Sequence, residues 1–164
     1  MANNQGTVAN LNGQKFEDLL VAEFVKKGFS VFMETEVSKE PQLLNGITRY
    51  VLRNAKFMTI YGQDGRTEFV AFDLKQKRAI RIEAKWQAVA GSVDEKYPYM
   101  LLNSIYQYPE KEIIFAVDGG GYKPGARQWL QDHIDNNWLN YRSMGKSIKL
   151  INYQQFVAWV QAEF

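Results

Sequence analysis

The stretch at residues 80–87 constrains the fold most, because apolar and polar side chains alternate along its whole length. The polar positions are Arg81, Glu83, Lys85 and Gln87. A period of two is typical of a β-strand with one apolar and one polar face. On the polar face a carboxylate and an ammonium group point the same way, about 7 Å apart along the strand. Two such groups can share one small target, so we expect a sheet with a polar site on this strand.

The chain of 164 residues is 46% hydrophobic, which is enough apolar material for one core. No run of about 20 apolar residues indicates a membrane span, and the first residues lack the pattern of a secretory signal. These features predict one globular domain over residues 1–164 in the cytoplasm, without a membrane partner. Residues 1–11 are polar and aperiodic, and we expect them to form a loose lead-in.

The composition also limits the chemistry of any site. The absence of cysteine excludes disulfides, thiolate zinc sites and cysteine nucleophiles. One histidine, His133, excludes a multi-histidine metal site, and its helical surroundings favour a structural or surface role. Oxygen atoms must therefore hold any metal, which favours hard ions such as magnesium, manganese or calcium. The formal net charge of +2 neither requires nor excludes a nucleic-acid partner.

The order of the periodic segments predicts a mixed sheet with helices on its faces. The segment Ser92-Val93-Asp94-Glu95 has the form of a capping box at the start of a helix. The patterns predict helices at 12–28, 92–106, 129–138 and from Asn152, and strands at 29–33, 50–54, 57–61, 66–73, 80–87, 112–117 and 147–151.

A short basic connection joins the strand before residue 74 to the central strand, so the two must be antiparallel neighbours. With the hairpin centred near residues 76–77, Glu68 lies opposite Lys85. In that register Glu68, Glu83 and Lys85 converge on one face. A slip of one residue would turn Glu68 away and bring Asp73 to the face of Glu83. The sequence leaves both registers open.

Two acids and an amine on one face are a constellation that can hydrolyse a phosphodiester. Magnesium held by carboxylates activates water near neutral pH and stabilises charge on the phosphate. The lysine can orient the water or neutralise the developing charge. The alternative is a surface hairpin with ordinary Glu–Lys cross-strand pairs. Glu17, at the edge of the first helix's apolar stripe, is either a solvated rim residue or a further acid that reaches this site.

The order of elements and the Glu83-x-Lys85 motif resemble the PD-(D/E)XK nuclease superfamily, whose core is helix, three antiparallel strands, helix, strand. The segments at 61–69, 82–87, 91–99 and 118–123 are similar to a phage- and bacteria-associated branch of it. The likeness spans roughly residues 12–138.

This resemblance implies an α/β fold with a restriction-endonuclease-like core (αβββαβ). It also implies a DNA endonuclease that depends on Mg²⁺, with Mn²⁺ as a possible substitute, in a bacterial or phage-infected cell. A homodimer or a higher homo-oligomer is expected, because cutting both strands of a duplex usually requires two active sites.

The resemblance also assigns roles to residues of this chain. Glu83 would be a metal ligand, Lys85 the catalytic lysine and Glu17 the auxiliary acid of the first helix. Gln87 would assist these groups from beside the metal or one shell behind it.

The acid of the preceding strand is where the sequence departs from the superfamily pattern. Thr67-Glu68 stands where the superfamily name has Pro-Asp, so either Glu68 or Asp73 could be the first metal ligand. The same departure supports the alternative that the chain is a catalytically inactive nucleic-acid-binding or assembly module on this fold.

Basic, hydroxyl and aromatic side chains near these strands are candidate contacts to the DNA backbone. Gly119-Gly120-Gly121 would let backbone amides approach a phosphate, although a tight strand-to-helix loop is the alternative. For the basic clusters the alternative is a solvated face. The candidates are Arg66, Lys75, Lys77, Arg78, Ser92, Lys96, Tyr122 and Lys123.

Overall fold

The strand predicted at residues 80–87 is β4 (Arg78–Trp86), one of the two central strands of a six-stranded sheet. The structure, a computed structural model, describes the backbone of residues 3–89 and 91–164 and their side chains from residue 12 onward. The strands lie side by side in chain order, β1 to β6. The mixed sheet flanked by helices is thereby confirmed.

The described residues form five α-helices and six strands, with short 3₁₀ turns between some of them. Within this part of the chain, no helix is both long and apolar enough to cross a bilayer. The helices are α1 (Asn3–Lys26), α2 (Glu34–Lys39), α3 (Tyr97–Tyr106), α4 (Pro124–Asp135) and α5 (Tyr153–Glu163). The other strands are β1 (Ser30–Met33), β2 (Arg49–Met58), β3 (Asp64–Asp73), β5 (Glu112–Asp118) and β6 (Ser147–Ile151), and the 3₁₀ turns are Pro41–Leu44, Asp94–Lys96 and Trp138–Met144.

The length of each connection decides how its strands pair. Short turns join β2 to β3 and β3 to β4, and both pairs are antiparallel. Helices lie in the connections from β1 to β2, from β4 to β5 and from β5 to β6, and these three pairs are parallel. A parallel pair needs such a crossover, because the chain must return to the same end of the sheet.

The observed register of β3 and β4 differs from the expected one. Val70 pairs with Arg81, so the hairpin centre lies one position earlier than predicted and Glu68 is not opposite Lys85. Extending the pairing places Glu68 opposite Glu83. The offset is two residues, which leaves the side chains of the paired residues 69–73 on their expected side, because the side-chain period of a strand is two.

The loose lead-in predicted for residues 1–11 is wrong over the part that the structure describes, since α1 begins at Asn3. Residues 1–2 lie outside the described residues. The lead-in contains no proline. Once residues 16–24 are packed as a helix, each further residue adds a backbone hydrogen bond at little extra cost, so the helix extends backwards.

The capping box predicted at residues 92–95 does not form. Lys96 is the N-cap of α3 and makes no side-chain capping bond, whereas Pro98 lies in the first turn as expected. The Asp94 carboxylate instead accepts a hydrogen bond of 3.0 Å from the backbone N–H of Lys123. Residues 94–96 form a 3₁₀ turn and α3 begins only at Tyr97, so Ser92 is too far along the chain to cap it.

Two hydrophobic clusters cover the two faces of the sheet. On one face, α1 and α5 pack on Phe69, Ile82 and Ala116. On the other face, α3 and α4 pack on Phe115 and Val117. Alternate residues of β5 therefore belong to opposite clusters, which explains its nearly continuous apolar sequence.

Replacing Phe24 by alanine should lower the free energy of unfolding by about 3–5 kcal/mol, the usual cost of deleting a buried aromatic ring. Phe24 is fully buried, and the rings of Phe29 and Phe156 lie 5.1 and 5.8 Å from its centre. Urea unfolding followed by circular dichroism measures the change. Val25→Ala is the control, because this neighbour is 49% exposed and should change stability by less than about 0.5 kcal/mol. Equal effects of the two substitutions would contradict the packing described here.

Candidate active site

The site lies where β3 and β4 stop pairing. Their ladder ends at Phe69 and Ile82. Beyond it, the backbone N–H of Ala84 donates a hydrogen bond of 2.9 Å to Oε2 of the Glu68 carboxylate. The Glu68 side chain thus takes the place of a strand partner, which fixes its carboxylate between the two strands.

Glu68, Glu83 and Lys85 come together at this point. The Lys85 Nζ lies 2.5 Å from Glu68 Oε1 and 3.0 Å from Glu83 Oε2. The Tyr108 hydroxyl donates a hydrogen bond to the other Glu83 oxygen, Oε1. The Glu83 side chain is only 6% exposed, while those of Lys85 and Glu68 are about one-fifth exposed. One ammonium group therefore contacts one carboxylate oxygen from each of two acids on neighbouring strands.

Burial and neighbouring charges shift the pKa values of Glu83 and Lys85. Burial raises the pKa of Glu83; Lys85 opposes this shift, and the charge of Glu68 adds to it. Burial on its own would lower the pKa of Lys85, but the carboxylates of Glu68 and Glu83 outweigh it and raise that pKa. Lys85 is thus held as an ammonium ion, able to donate hydrogen bonds but not to accept a proton.

Glu17 reaches the same region from α1. Its carboxylate and that of Glu68 both line one cleft of about 540 Å³. Arg53 of β2 pairs with Glu17 at 2.7 Å and with Asp18 at 2.8 Å. Burial raises the pKa of Glu17; the Arg53 guanidinium opposes the shift and the Glu68 charge adds to it. Glu17 is therefore not a solvated rim residue, because it lines the cleft beside Glu68 and is only 16% exposed; a part in the chemistry stays a prediction.

The backbone of β2 is distorted opposite Glu68. Asn54 has a left-handed φ of 58°, between the regular pairs Arg53–Phe69 and Ala55–Thr67. Asparagine tolerates this conformation better than most residues. The two strands predicted at 50–54 and 57–61 are therefore a single strand with a distortion near its middle.

Arg66 is the one candidate DNA contact that lines the cleft beside Glu68. Its guanidinium donates a hydrogen bond of 2.9 Å to the Asn54 carbonyl oxygen. It also lies 3.5 Å from Glu34, a long contact. The Arg66 side chain is 39% exposed, so it remains accessible to a phosphate.

Asp73 lies outside the site. It is at the far end of β3, five residues from Glu68 and so about 17 Å away by the rise of a strand. One carboxylate oxygen lies 2.8 Å from Arg49, and the other accepts the backbone N–H groups of Lys75 and Gln76. Asp73 therefore caps the β3–β4 turn, and Glu68 is the β3 acid that the site contains.

The basic residues of the β3–β4 turn also lie away from the site. Lys75 and Lys77 are exposed in the turn, and Arg78 is at the opposite end of β4 from Lys85, about 23 Å away by strand rise. Arg78 is bound by Glu112 at 2.7 Å and by Glu163 at 2.9 Å. These three residues therefore lie away from the acids, and their contact with a DNA backbone stays a prediction.

Gln87 is buried just beyond the trio. Its side-chain amide donates a hydrogen bond of 3.2 Å to the Gly121 carbonyl oxygen. Its Oε1 is buried and finds no partner among the residues described. A Cβ on Gly119 would lie 2.6 Å from the Gln87 carbonyl oxygen, and one on Gly121 would collide with Ala88 and Val89. Gly119 and Gly121 therefore allow the close approach of the two backbones, in agreement with the interpretation of this glycine run as a tight strand-to-helix loop.

The remaining candidates lie on two segments that the Asp94–Lys123 hydrogen bond joins. Ser92 and Lys96 are exposed on the first segment. Lys123 is exposed on the second, and the Tyr122 ring is 5.1 Å from the guanidinium of Arg127. The hydrogen bond brings the two segments next to each other.

A metal site can be tested against the donors present. Among the side chains that the structure describes, no three acidic or histidine groups converge closely enough to hold an ion. Lys85 lies between Glu68 and Glu83, and Glu17 is paired with Arg53. The donors nevertheless fit a hard cation, because oxygens of Glu68 and Glu83 already converge on one positive charge, the Lys85 ammonium.

The comparison with known protein families decides the identity of the fold. A family described as "PD-(D/E)XK nuclease superfamily domain" matches residues 8–164. The chain belongs to the PD-(D/E)XK nuclease superfamily. The resemblance seen in the motif and the restriction-endonuclease-like α/β fold are thereby confirmed. No curated protein and no solved structure gave a significant match, and the phage or bacterial branch stays a prediction.

Membership of this superfamily indicates a nuclease-like function and a nucleic-acid partner. Sequence reasoning missed three residues of this nuclease domain's site, Arg53, Tyr108 and Asn54. The contacts of Arg53 and Tyr108 span 36 and 25 residues, and no local pattern indicates such distant partners.

Replacing Gly121 by alanine should destabilise the nuclease domain by about 1–3 kcal/mol, the usual cost of overpacking. The new methyl group would collide with the backbone of residues 88–89. Gly125→Ala is the matched control, since no described atom lies within 4 Å of its Cβ position and alanine favours the α4 helix. Thermal unfolding of the two variants checks this, and equal stability would show that the glycine run is not needed for packing.

Proposed function

We propose that this chain is a metal-dependent DNA endonuclease that hydrolyses phosphodiester bonds, with Mg²⁺ as the metal and Mn²⁺ as a substitute. The observation that supports it most is that oxygens of Glu68 and Glu83 converge on one cation, the Lys85 ammonium, where β3 and β4 separate. Family membership and the nearby Glu17 agree with this proposal.

Glu68 and Glu83 would hold the metal through their carboxylate oxygens. When bound, the metal supplies an acidified water and stabilises charge on the phosphate. With the oxygens of Glu68 and Glu83 engaged by a metal, the Lys85 ammonium would be free to donate a hydrogen bond to the attacking water or to a phosphate oxygen. Glu17 faces the same cleft and can orient a water, and Gln87 keeps the glycine loop in place behind Lys85.

DNA would lie along the cleft, with Arg66 on one side and the surface of Ser92, Lys96, Tyr122 and Lys123 on the other. Contacts of this kind recognise the phosphate backbone rather than base sequence. Cutting both strands of a duplex would require a second active site, so a homodimer or higher homo-oligomer is part of the proposal. We also propose a cytoplasmic location.

A second candidate is a nucleic-acid-binding or assembly module that does not cut. It is favoured by the tight contact between Lys85 and both carboxylates, which a metal has to displace. The two candidates differ in one measurable property, because the enzyme requires a divalent metal and the module binds DNA without one.

Replacing Lys85 by alanine should reduce cleavage of supercoiled plasmid by about 100- to 1,000-fold, the usual cost of one charge-stabilising donor. Glu83→Gln should abolish both Mn²⁺ binding and cleavage, because it removes a charged ligand. Gel assays with Mg²⁺, with Mn²⁺ and with a chelator measure the cleavage, and circular dichroism checks the fold. Glu40→Gln is the control, since this carboxylate is exposed and outside the cleft. Full activity of either site variant would refute the enzyme, and metal-independent DNA binding without cutting would favour the module.

Paired substitutions on β3 separate its two acids. Glu68→Gln should lose cleavage while keeping its fold, because Glu68 belongs to the site. Asp73→Asn should keep metal-dependent cleavage per folded molecule but lower the free energy of unfolding by about 1–3 kcal/mol, since it weakens bonds to Arg49 and the turn. Plasmid cleavage and urea unfolding of both variants are the measurements. Loss of cleavage in folded Asp73→Asn with retention in Glu68→Gln would reverse the assignment.

A further inference from the structure

The two oxygens of the Glu83 carboxylate have different partners. Oε2 faces Lys85, which it shares with Glu68. Oε1 accepts a hydrogen bond from the Tyr108 hydroxyl. Tyr108 is only 3% exposed, so water does not compete freely for this bond. The carboxylate is therefore held from both sides, by a neutral donor on one oxygen and by a cation on the other.

Tyr108 is itself immobilised. Its ring packs edge-on against Phe57 at 4.7 Å, and the Arg81 guanidinium lies 4.9 Å from the ring centre. Its carbonyl oxygen accepts a hydrogen bond from the Lys146 ammonium. Because ring and backbone are both fixed, the hydroxyl can hold Glu83 in one orientation.

The Arg81 guanidinium, which packs on the Tyr108 ring, also contacts the strand that carries Glu68. Arg81 forms a buried ion pair with Glu110 at 2.6 Å. It donates a further hydrogen bond of 2.7 Å to the hydroxyl of Thr67, the residue before Glu68. One buried set of polar contacts therefore supports both acids from behind.

We propose that Tyr108 is a positioning residue for metal binding. Its hydroxyl holds Oε1 of Glu83, so that Oε2 is the oxygen presented to a divalent cation shared with Glu68. Without the hydroxyl, Oε1 is a buried acceptor with no partner, and the carboxylate is free to turn towards Lys85. This inference rests on the proposed function, because it assumes that Glu83 binds the metal.

The test is Mn²⁺ binding by Tyr108→Phe, measured by calorimetry without DNA. This substitution removes one oxygen atom and keeps the ring. We expect Mn²⁺ to bind about 10- to 100-fold more weakly, which is the usual effect of removing a group that orients a ligand. In the cleavage assay, the Mn²⁺ concentration for half-maximal rate should rise by the same factor, and the rate at saturating Mn²⁺ should largely recover.

Tyr141→Phe is the matched control. Tyr141 is as buried as Tyr108, at 1% exposure, and its hydroxyl also donates a hydrogen bond, at 2.8 Å to the Ile134 carbonyl oxygen. Its partner belongs to α4 and not to the acids. Its Mn²⁺ affinity should equal that of the unsubstituted protein, so a loss confined to Tyr108→Phe reports on Glu83 rather than on general loosening.

The outcomes distinguish this inference from the function on which it rests. If the unsubstituted protein binds no Mn²⁺, the proposed function fails and the inference with it. If it binds Mn²⁺ through Glu83 and Tyr108→Phe binds equally well, only the inference is overturned.

Discussion

The end of the β3–β4 ladder is the constraint on which the site depends. Beyond Ile82 the backbone of β4 still pairs with β5 but no longer with β3, and a buried N–H group without an acceptor is costly. Glu68 satisfies the N–H of Ala84 with one carboxylate oxygen and leaves the other for Lys85. The end of the β3–β4 pairing therefore leaves a backbone N–H without a strand partner, and this N–H fixes the position of the Glu68 carboxylate. A continuous ladder would place a backbone carbonyl there and would leave no room for a charged group between the strands.

Electrostatics explains why these groups can stay inside the sheet. Two carboxylates close together in a buried place repel each other, and burial itself raises the pKa of Glu83. Lys85 compensates both acids at once, so its ammonium is the counter-ion of the site in the absence of metal. A divalent cation would compete for the same oxygens, and each exchange would free the ammonium for a phosphate or a water. Under the proposed function, the role of Lys85 as counter-ion and its role as donor are two states of one arrangement.

Period two in residues 80–87 is a local property, and it correctly predicted that Glu83 and Lys85 share a side. An error of two residues in the register does not change which residues face the same side. Glu68 was therefore predicted near Glu83 and Lys85 although its predicted cross-strand partner was wrong. Asp73 could not be excluded from sequence, since a shift of one residue in the turn would have exchanged the two acids. Arg53 and Tyr108 gave no usable signal, because each acts through a partner far away in the chain.

The strand that carries Glu68 also rotates at that residue. In a regular strand, residues 67 and 69 share a face. Here Phe69 packs in the cluster on the α1 side, whereas Thr67 bonds to Arg81, whose guanidinium lies over Tyr108 in the cluster on the α3 side. The left-handed Asn54 marks the same change in β2, where Val51 faces α1 and Phe57 packs on the α3 side. Glu68 therefore belongs to neither face, and its side chain points along the sheet towards β4. A rotation shared by two paired strands, rather than a motif, aims this acid at Lys85.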